Sequence, residues 1–179
     1  MFVINVLISQ YITDALSSVR DVRLFLLSFN DTTMKFAFIG TYPPQKCGIG
    51  TFTHNLIKSL ADNFAYSDLY PNLYVIAVSD GEQDYKYPPE VSFVVNQNSQ
   101  RDYISAAKYI NNNRADACIL EHEFGIFGGE SGVYVLSLVS RIEIPLIVTF
   151  HTVIREKKKN KKVIVQELSS KAYKVVVMS

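Results

Sequence analysis

The sequence has no tryptophan, only two cysteines and almost no excess of charge of either sign. Cys47 and Cys118 lie far apart and lack CxxC spacing, which indicates neither a disulfide framework nor a zinc site. A net charge of +1 over 179 residues provides no strong basic surface for nucleic acid. No apolar run approaches the roughly 20 residues that span a bilayer. We therefore expect a cytoplasmic protein that has no nucleic-acid partner and is not integral to a membrane.

Aromatic and aliphatic residues are plentiful, with 11 tyrosines, 11 phenylalanines and 48% hydrophobic residues overall. This composition is typical of a globular protein, and the length suits one well-buried domain rather than two. We place that domain at residues 34–179. Residues 1–33 form an N-terminal extension without the basic start or cleavage site of a signal peptide. Three interpretations of it stay open: a helix or loose extension packed on the domain, a segment absent from the natural protein, and a membrane-surface anchor.

From Lys35 onward, short apolar runs alternate with longer segments of helical periodicity. The predicted strands are residues 35–41, 73–79, 91–95, 115–123, 145–152 and 175–178, and the predicted helices are 50–64, 101–114, 128–142 and 163–174. Such alternation is typical of a parallel sheet with crossover helices. The fold class is therefore predicted to be α/β, with a doubly wound, mainly parallel Rossmann-like sheet. Ligands of such sheets bind at the carboxyl ends of the strands.

The loop after the first predicted strand is TYPPQKCGIGTFTHN, in which Gly48 and Gly50 lie at the start of a helix. Glycine lets the backbone approach a ligand closely, and free amides at a helix N-terminus favour an anion. The spacing lacks the third glycine of GxGxxG, and no GK[ST] is present, so neither dinucleotide nor P-loop chemistry is supported. Two interpretations stay open: a phosphate-binding loop, and an ordinary turn in which the glycines serve only the turn geometry.

Two histidines follow other predicted strands, His122 in the segment EHEFG and His151 in the segment VTFHT. Because parallel strands end at one edge of a sheet, we expect both loops to converge with the first loop. A metal site formed by His122, Glu123 and His151 is an alternative, but the second histidine of HExxH is missing, so we predict no metal. GESG is not the GxSxG elbow of a hydrolase. A structural, hydrogen-bonded role also stays open for each histidine.

The motif YPPQKCGIGTFTHNL resembles the opening motif of family 4 glycosyltransferases of the GT-B fold. The segments HEFGIFGGESG and TFHT extend this resemblance, which covers residues 35–179. It implies the N-terminal, acceptor-side domain of a retaining glycosyltransferase of the hexosyltransferase type. Such an enzyme moves a sugar from a nucleotide-sugar donor, which is a substrate rather than a cofactor, to a hydroxyl of a sugar or glycan acceptor.

The resemblance also implies roles for individual residues. Gly48, with Gly50 beside it, would lie against the donor phosphate, and His151 would hydrogen-bond the transferred sugar or orient the acceptor. One segment would help to line the acceptor side: His122, Glu123, Phe124 and Gly125. Two positions depart from the family pattern, since relatives more often carry alanine or a polar residue at Gly50 and a glutamine at Glu121.

A second Rossmann domain, which would bind the nucleotide, is implied to begin shortly after residue 179. Without it we expect the chain to be inactive. The alternatives are a stand-alone module that binds a phosphorylated ligand, and one chain of a two-chain transferase whose partner supplies the missing domain. The basic run at residues 155–162 has two interpretations of its own, a solvated loop that begins a helix and a weak peripheral contact with an anionic membrane.

Overall fold

The computed structural model describes residues 34–64, 71–152 and 159–178. The N-terminal extension at residues 1–33 and the first part of the basic run, residues 155–158, lie outside these ranges. Within the described residues, no helix has the length and apolar character needed to cross a membrane.

The described residues form six strands and four α-helices. The strands are β1 (Lys35–Gly40), β2 (Asn72–Ser79), β3 (Val91–Asn96), β4 (Ala117–His122), β5 (Leu146–Phe150) and β6 (Lys174–Val177). The helices are α1 (Gly48–Phe64), α2 (Gln100–Asn112), α3 (Val135–Val139) and α4 (Lys159–Lys171). Two short 3-10 turns, Phe124–Ile126 and Glu130–Gly132, follow β4.

All six strands run parallel in one sheet, in the order β3-β2-β1-β4-β5-β6. The central strands β4 and β5 are buried along their whole length, because helices cover both faces of the sheet. Leu56 and Leu60 of α1 pack on one face, whereas α2, α3 and α4 pack on the other. The predicted doubly wound α/β fold is therefore confirmed. Strand order reverses direction between β1 and β4, which is where such sheets bind their ligands.

The predicted helix at residues 128–142 is wrong over most of its length. Only residues Val135–Val139 form an α-helix, preceded by the 3-10 turn at Glu130–Gly132. The reason is local backbone geometry, since Gly129, Ser131 and Gly132 have φ values of 76°, 58° and 83°. A right-handed helix cannot continue through positive φ. The chain therefore turns sharply before it enters α3.

Helix boundaries elsewhere differ from prediction by a few residues. Helix α1 begins at Gly48 rather than at residue 50, with a first helical hydrogen bond from Thr51 N to Cys47 O (3.0 Å). Helix α2 ends at Asn112, within the asparagine run that was expected to stop it. Helix α4 begins at Lys159, so the second half of the basic run forms its first turn.

The turn after β4 is locked against the β3–α2 connection through Gly128. Its amide donates to the hydroxyl of the buried Tyr103 (3.0 Å), and that hydroxyl donates to the carbonyl of Gln97 (3.0 Å). A Cβ atom on Gly128 would lie 1.8 Å from the Gln97 carbonyl oxygen. The close approach of the two backbones leaves room for glycine alone.

We expect Gly128→Ala to lower the free energy of unfolding by at least about 3 kcal/mol, because a backbone contact cannot relax as a side chain can. Chemical denaturation measures the change. The matched control is Gly125→Ala in the same loop, where an added Cβ has no neighbour within 4 Å and the change should stay within about 0.5 kcal/mol. Equal stability of the two variants would contradict this account of the turn.

Candidate functional site

The candidate site lies at the carboxyl edge of the sheet, where β1, β4 and β5 end beside one another. The loop from β1 leads to the N-terminus of α1. The ends of β4 and β5 stay tied together one residue beyond the ladder, because the amide of His151 donates to the carbonyl of His122 (3.0 Å). The three predicted loops are therefore brought to one edge, as the parallel topology requires.

Glu121 and His151 form the central pair of this edge. The carboxylate Oε2 of Glu121 lies 2.7 Å from Nε2 of His151, and its Oε1 lies 3.5 Å from the Thr149 hydroxyl. Glu121 is completely buried, and the side chain of His151 is 9% exposed. All three residues point to the face of the sheet that carries α1, since side chains alternate along a strand. Sequence reasoning noted Glu121 but did not identify it as the partner of His151.

Room for the buried carboxylate comes from β1. A Cβ atom on Gly40 would lie only 3.2 Å from Cβ of Glu121, so a side chain at this position would crowd the base of the Glu121 side chain. Burial raises the pKa of Glu121, and the hydrogen bond and charge of His151, with a smaller effect of Thr149, oppose the rise. The physical cause is loss of water around a charge in the interior.

His151 also contacts the first turns of α1. The ring of Phe52 meets the His151 ring edge-on, with 4.8 Å between centroids. The histidine that the family resemblance assigns to the reacting sugar therefore lies beside the helix that begins at Gly48. The predicted convergence of these two loops is seen in the geometry.

The two glycines of the first loop differ in their surroundings. A Cβ atom on Gly48 would have no neighbour within 4 Å, whereas one on Gly50 would lie 3.3 Å from the backbone of Tyr42. Gly50 therefore lets the loop pass close over the helix. Gly48 leaves the backbone open to an approaching group, and the amides of residues 48–50 precede the first helical hydrogen bond.

A hydrogen-bond network fixes the first loop over the sheet. The buried Tyr42 hydroxyl donates to Glu90 (3.1 Å) and lies 3.0 Å from Nδ1 of His54 on α1. Gln45, also buried, accepts from the Tyr87 hydroxyl (3.3 Å). Burial, and then the charge of Glu90, raise the pKa of Tyr42, so the hydroxyl stays protonated as a donor. Sequence reasoning missed this network, whose partners are up to 48 residues apart.

His122 does not join the pair. It points to the opposite face of the sheet, where its ring packs against Phe124, Phe127 and Phe150 with centroids 4.8 to 5.6 Å apart. Its Nε2 atom is buried and has no hydrogen-bond partner among the described residues. Burial lowers the pKa of His122 to about 4, so the ring is neutral near pH 7. The alternative metal set of His122, Glu123 and His151 therefore does not assemble around one point.

The rest of the expected acceptor segment forms a capped turn. Glu123 accepts a hydrogen bond from the amide of Phe124 (2.9 Å) and another from the Thr152 hydroxyl, which ties the β4 loop to the residue after His151. The ammonium group of Lys161 on α4 lies 4.6 Å from the centre of the Phe124 ring. Gly125 has open space around its α-carbon. Glu123 and Gly125 are therefore accessible members of this segment, whereas Phe124 is largely buried.

Comparison with protein-family models, with curated proteins and with solved structures finds no match.

The buried carboxylate makes stability depend on pH. The pKa of Glu121 is higher in the folded chain than in the unfolded chain, so its contribution to stability is present below the ordinary glutamate pKa of about 4.3 and is lost as pH rises through the folded value. We expect the melting temperature of Glu121→Gln, relative to wild type, to increase between about pH 4 and pH 8. Glu143→Gln, at an exposed carboxylate, is the control and should show little change. A difference in melting temperature between Glu121→Gln and wild type that stays constant over this pH range would show that Glu121 does not make stability depend on pH.

Proposed function

We propose that this chain is the acceptor-side, Rossmann-like domain of a retaining glycosyltransferase that moves a sugar from a nucleotide sugar to a hydroxyl of a sugar or glycan. The observation that carries the proposal is the position of His151. A buried carboxylate holds this ring at the carboxyl edge of the sheet, and Phe52 places it beside the helix that begins at Gly48. The same three segments carry the resemblance to family 4 glycosyltransferases.

In this proposal the donor diphosphate lies at the N-terminus of α1. The free amides of residues 48–50 and the positive end of the helix dipole favour an anion there. Gly48 supports this role because its α-carbon faces open space, so a phosphate can reach the backbone. As the sugar–phosphate bond breaks, charge on the leaving diphosphate increases, and fixed donors then stabilise the transition state more than the ground state.

His151 has the second role, a hydrogen bond to the transferred sugar or to the acceptor. Glu121 limits rotation of its ring, and holding reacting groups in place lowers the entropic part of the barrier. Glu123, Gly125 and the neighbouring Thr152 form the acceptor side, with Glu123 already joined to Thr152 by a hydrogen bond. The ring of His122 packs against Phe124 and Phe127 of this loop, and in the proposal it does not contact the acceptor.

The proposal requires a second domain that binds the nucleotide, either in the same polypeptide or in a complementing chain. A cytoplasmic location is part of the proposal. A weak contact of the basic run with an anionic membrane would bring the domain near a lipid-linked acceptor. Within this run, Lys161 is engaged over the Phe124 ring, which leaves Lys159 and Lys162 as exposed lysines in the described part.

A stand-alone module that binds a phosphorylated ligand is the second candidate. The open approach to Gly48 favours it, because this feature needs no other domain. Tight binding of a small phosphate compound by the 179-residue chain, without transfer in the presence of any nucleotide-binding domain, would support the module and exclude the transferase.

Gly48→Leu tests the phosphate role in either case. We expect binding of a nucleoside diphosphate sugar to weaken at least about tenfold, since the leucine side chain would occupy the open space beside the first helix amides. Calorimetric titration measures the change, and thermal unfolding should show that the fold is retained. The matched control is Ala61→Leu, at an exposed position on the same helix, which should bind like wild type. Unchanged binding by Gly48→Leu would remove the phosphate role of this loop.

His151→Ala tests the transferase itself. We expect the chain alone to show no turnover, and expect transfer once a nucleotide-binding domain is supplied. In that assembled enzyme, His151→Ala should lower kcat at least about tenfold, because a lost polar contact to the transition state typically costs that much or more. Lys58→Ala, at an exposed position on α1, is the control. A rate for His151→Ala within about threefold of wild type would show that His151 has no catalytic role.

A further inference from the structure

The charge on Glu121 has few groups to balance it. The described groups nearest to its carboxylate are Thr149 of β5 and His151, which follows β5, with Gly40 of β1 packed against its Cβ. Thr53 of α1 lies beside Gly40, and its hydroxyl donates to the carbonyl of Ile49 instead (2.9 Å). Among these neighbours only His151 can carry a charge. The histidine is therefore the one described group that can neutralise the buried carboxylate.

A buried carboxylate without a counter-charge is costly, whereas a hydrogen-bonded pair that carries no net charge costs less. A neutral pair exists in two forms. In the first, a glutamate anion faces a histidine cation that has protons on both ring nitrogens. In the second, the shared proton has moved from Nε2 to the carboxyl oxygen, which leaves a neutral acid and a neutral ring. The proton on Nδ1 is present in both forms, so its presence does not depend on where the shared proton lies.

We propose that Glu121 is a positioning residue that keeps Nδ1 of His151 protonated, so that this nitrogen acts as a hydrogen-bond donor at the carboxyl edge of the sheet. Nδ1 has no hydrogen-bond partner among the described residues. The atom it would contact is an electron-rich oxygen of the donor sugar or its diphosphate. This role rests on the proposed transferase function, whereas the protonation of Nδ1 does not.

The identity of residue 121 affects whether Nδ1 of His151 donates or accepts a hydrogen bond. The family resemblance leads to the expectation of glutamine before His122, and a neutral amide cannot balance an imidazolium ion or hold the shared proton. A glutamine amide can either donate to Nε2 or accept from it, so it would not by itself fix which nitrogen of His151 carries a proton. Glu121 therefore changes the hydrogen-bonding character of His151 without touching the ligand itself.

The test is nitrogen NMR of the full 179-residue chain at about pH 7.5, where an isolated imidazole is about nine-tenths neutral. Two-bond proton–nitrogen correlations distinguish a protonated ring nitrogen from a bare one. The chain has three histidines, and the His151 signals are those absent from His151→Gln. We expect a protonated Nδ1 in wild type and in the control Thr149→Val, and a mainly bare Nδ1 in Glu121→Leu.

A bare Nδ1 in wild type overturns the inference, and this result needs no variant to fold. A protonated Nδ1 in folded Glu121→Leu also overturns it, since the carboxylate would then not be the cause.

A kinetic test with the nucleotide-binding domain supplied addresses the role in transfer. Glu121→Leu should lower kcat at least about tenfold with little change in KM, because the lost contact is one to the transition state. The exposed variant Glu143→Gln is the control. Equal kcat for Glu121→Leu and wild type would show that Glu121 does not act in transfer. Absence of transfer in every variant, with a protonated Nδ1 in wild type, would refute the proposed function and leave the protonation of Nδ1 established.

Discussion

The burial of one carboxylate, that of Glu121, constrains the whole carboxyl edge of the sheet. Gly40 leaves space beside it, since a Cβ atom there would lie 3.2 Å from Cβ of Glu121, and His151 lies within hydrogen-bond distance of its carboxylate. A partly buried ring held by Glu121 on one side and Phe52 on the other cannot move freely. The position of β5 relative to β4 and α1 is thus set by a polar contact as well as by apolar packing. Loss of that contact would leave a buried carboxyl group without its hydrogen-bond partner, which is a costly defect in a core whether the group is charged or neutral.

Because side chains alternate along β4, the neighbouring residues Glu121 and His122 lie on opposite faces of the sheet. Glu121 faces α1 at the carboxyl edge of the sheet, whereas His122 faces the aromatic cluster on the opposite face. Both side chains are buried, yet only one is paired. The low pKa of His122 follows from its apolar surroundings, and a neutral ring can occupy such a site at modest cost. A shift of one residue in the register of β4 would exchange the two environments and place the carboxylate among phenylalanine rings.

The strands could be predicted because central parallel strands are continuous apolar runs, and the sheet edge could be predicted because such strands share a direction. The pairing of Glu121 with His151 could not, since it depends on which of two adjacent residues faces α1 and on the β4–β5 register. The network from Tyr42 to Glu90 has no local sequence signal, because it joins two loops distant in the chain. The helix predicted at residues 128–142 failed for another reason. The hydrophobic periodicity of its second half is real, but positive φ at Gly129 and Gly132 interrupts the backbone that the pattern requires.

The polarity of this edge limits what it can bind. The free amides at the start of α1 are donors, and the helix dipole adds partial positive charge there. In the proposal that Nδ1 of His151 is also a donor, both groups seek electron-rich oxygen, and Glu121 adds no net negative charge because its pair with His151 carries none. Two such donors would disfavour a cationic ligand beside them. A diphosphate joined to a hydroxyl-rich sugar satisfies both, since its phosphate oxygens suit the amides and its sugar oxygens suit the imidazole. In this proposal, the carboxylate that restricts the fold also favours an electron-rich ligand at this edge.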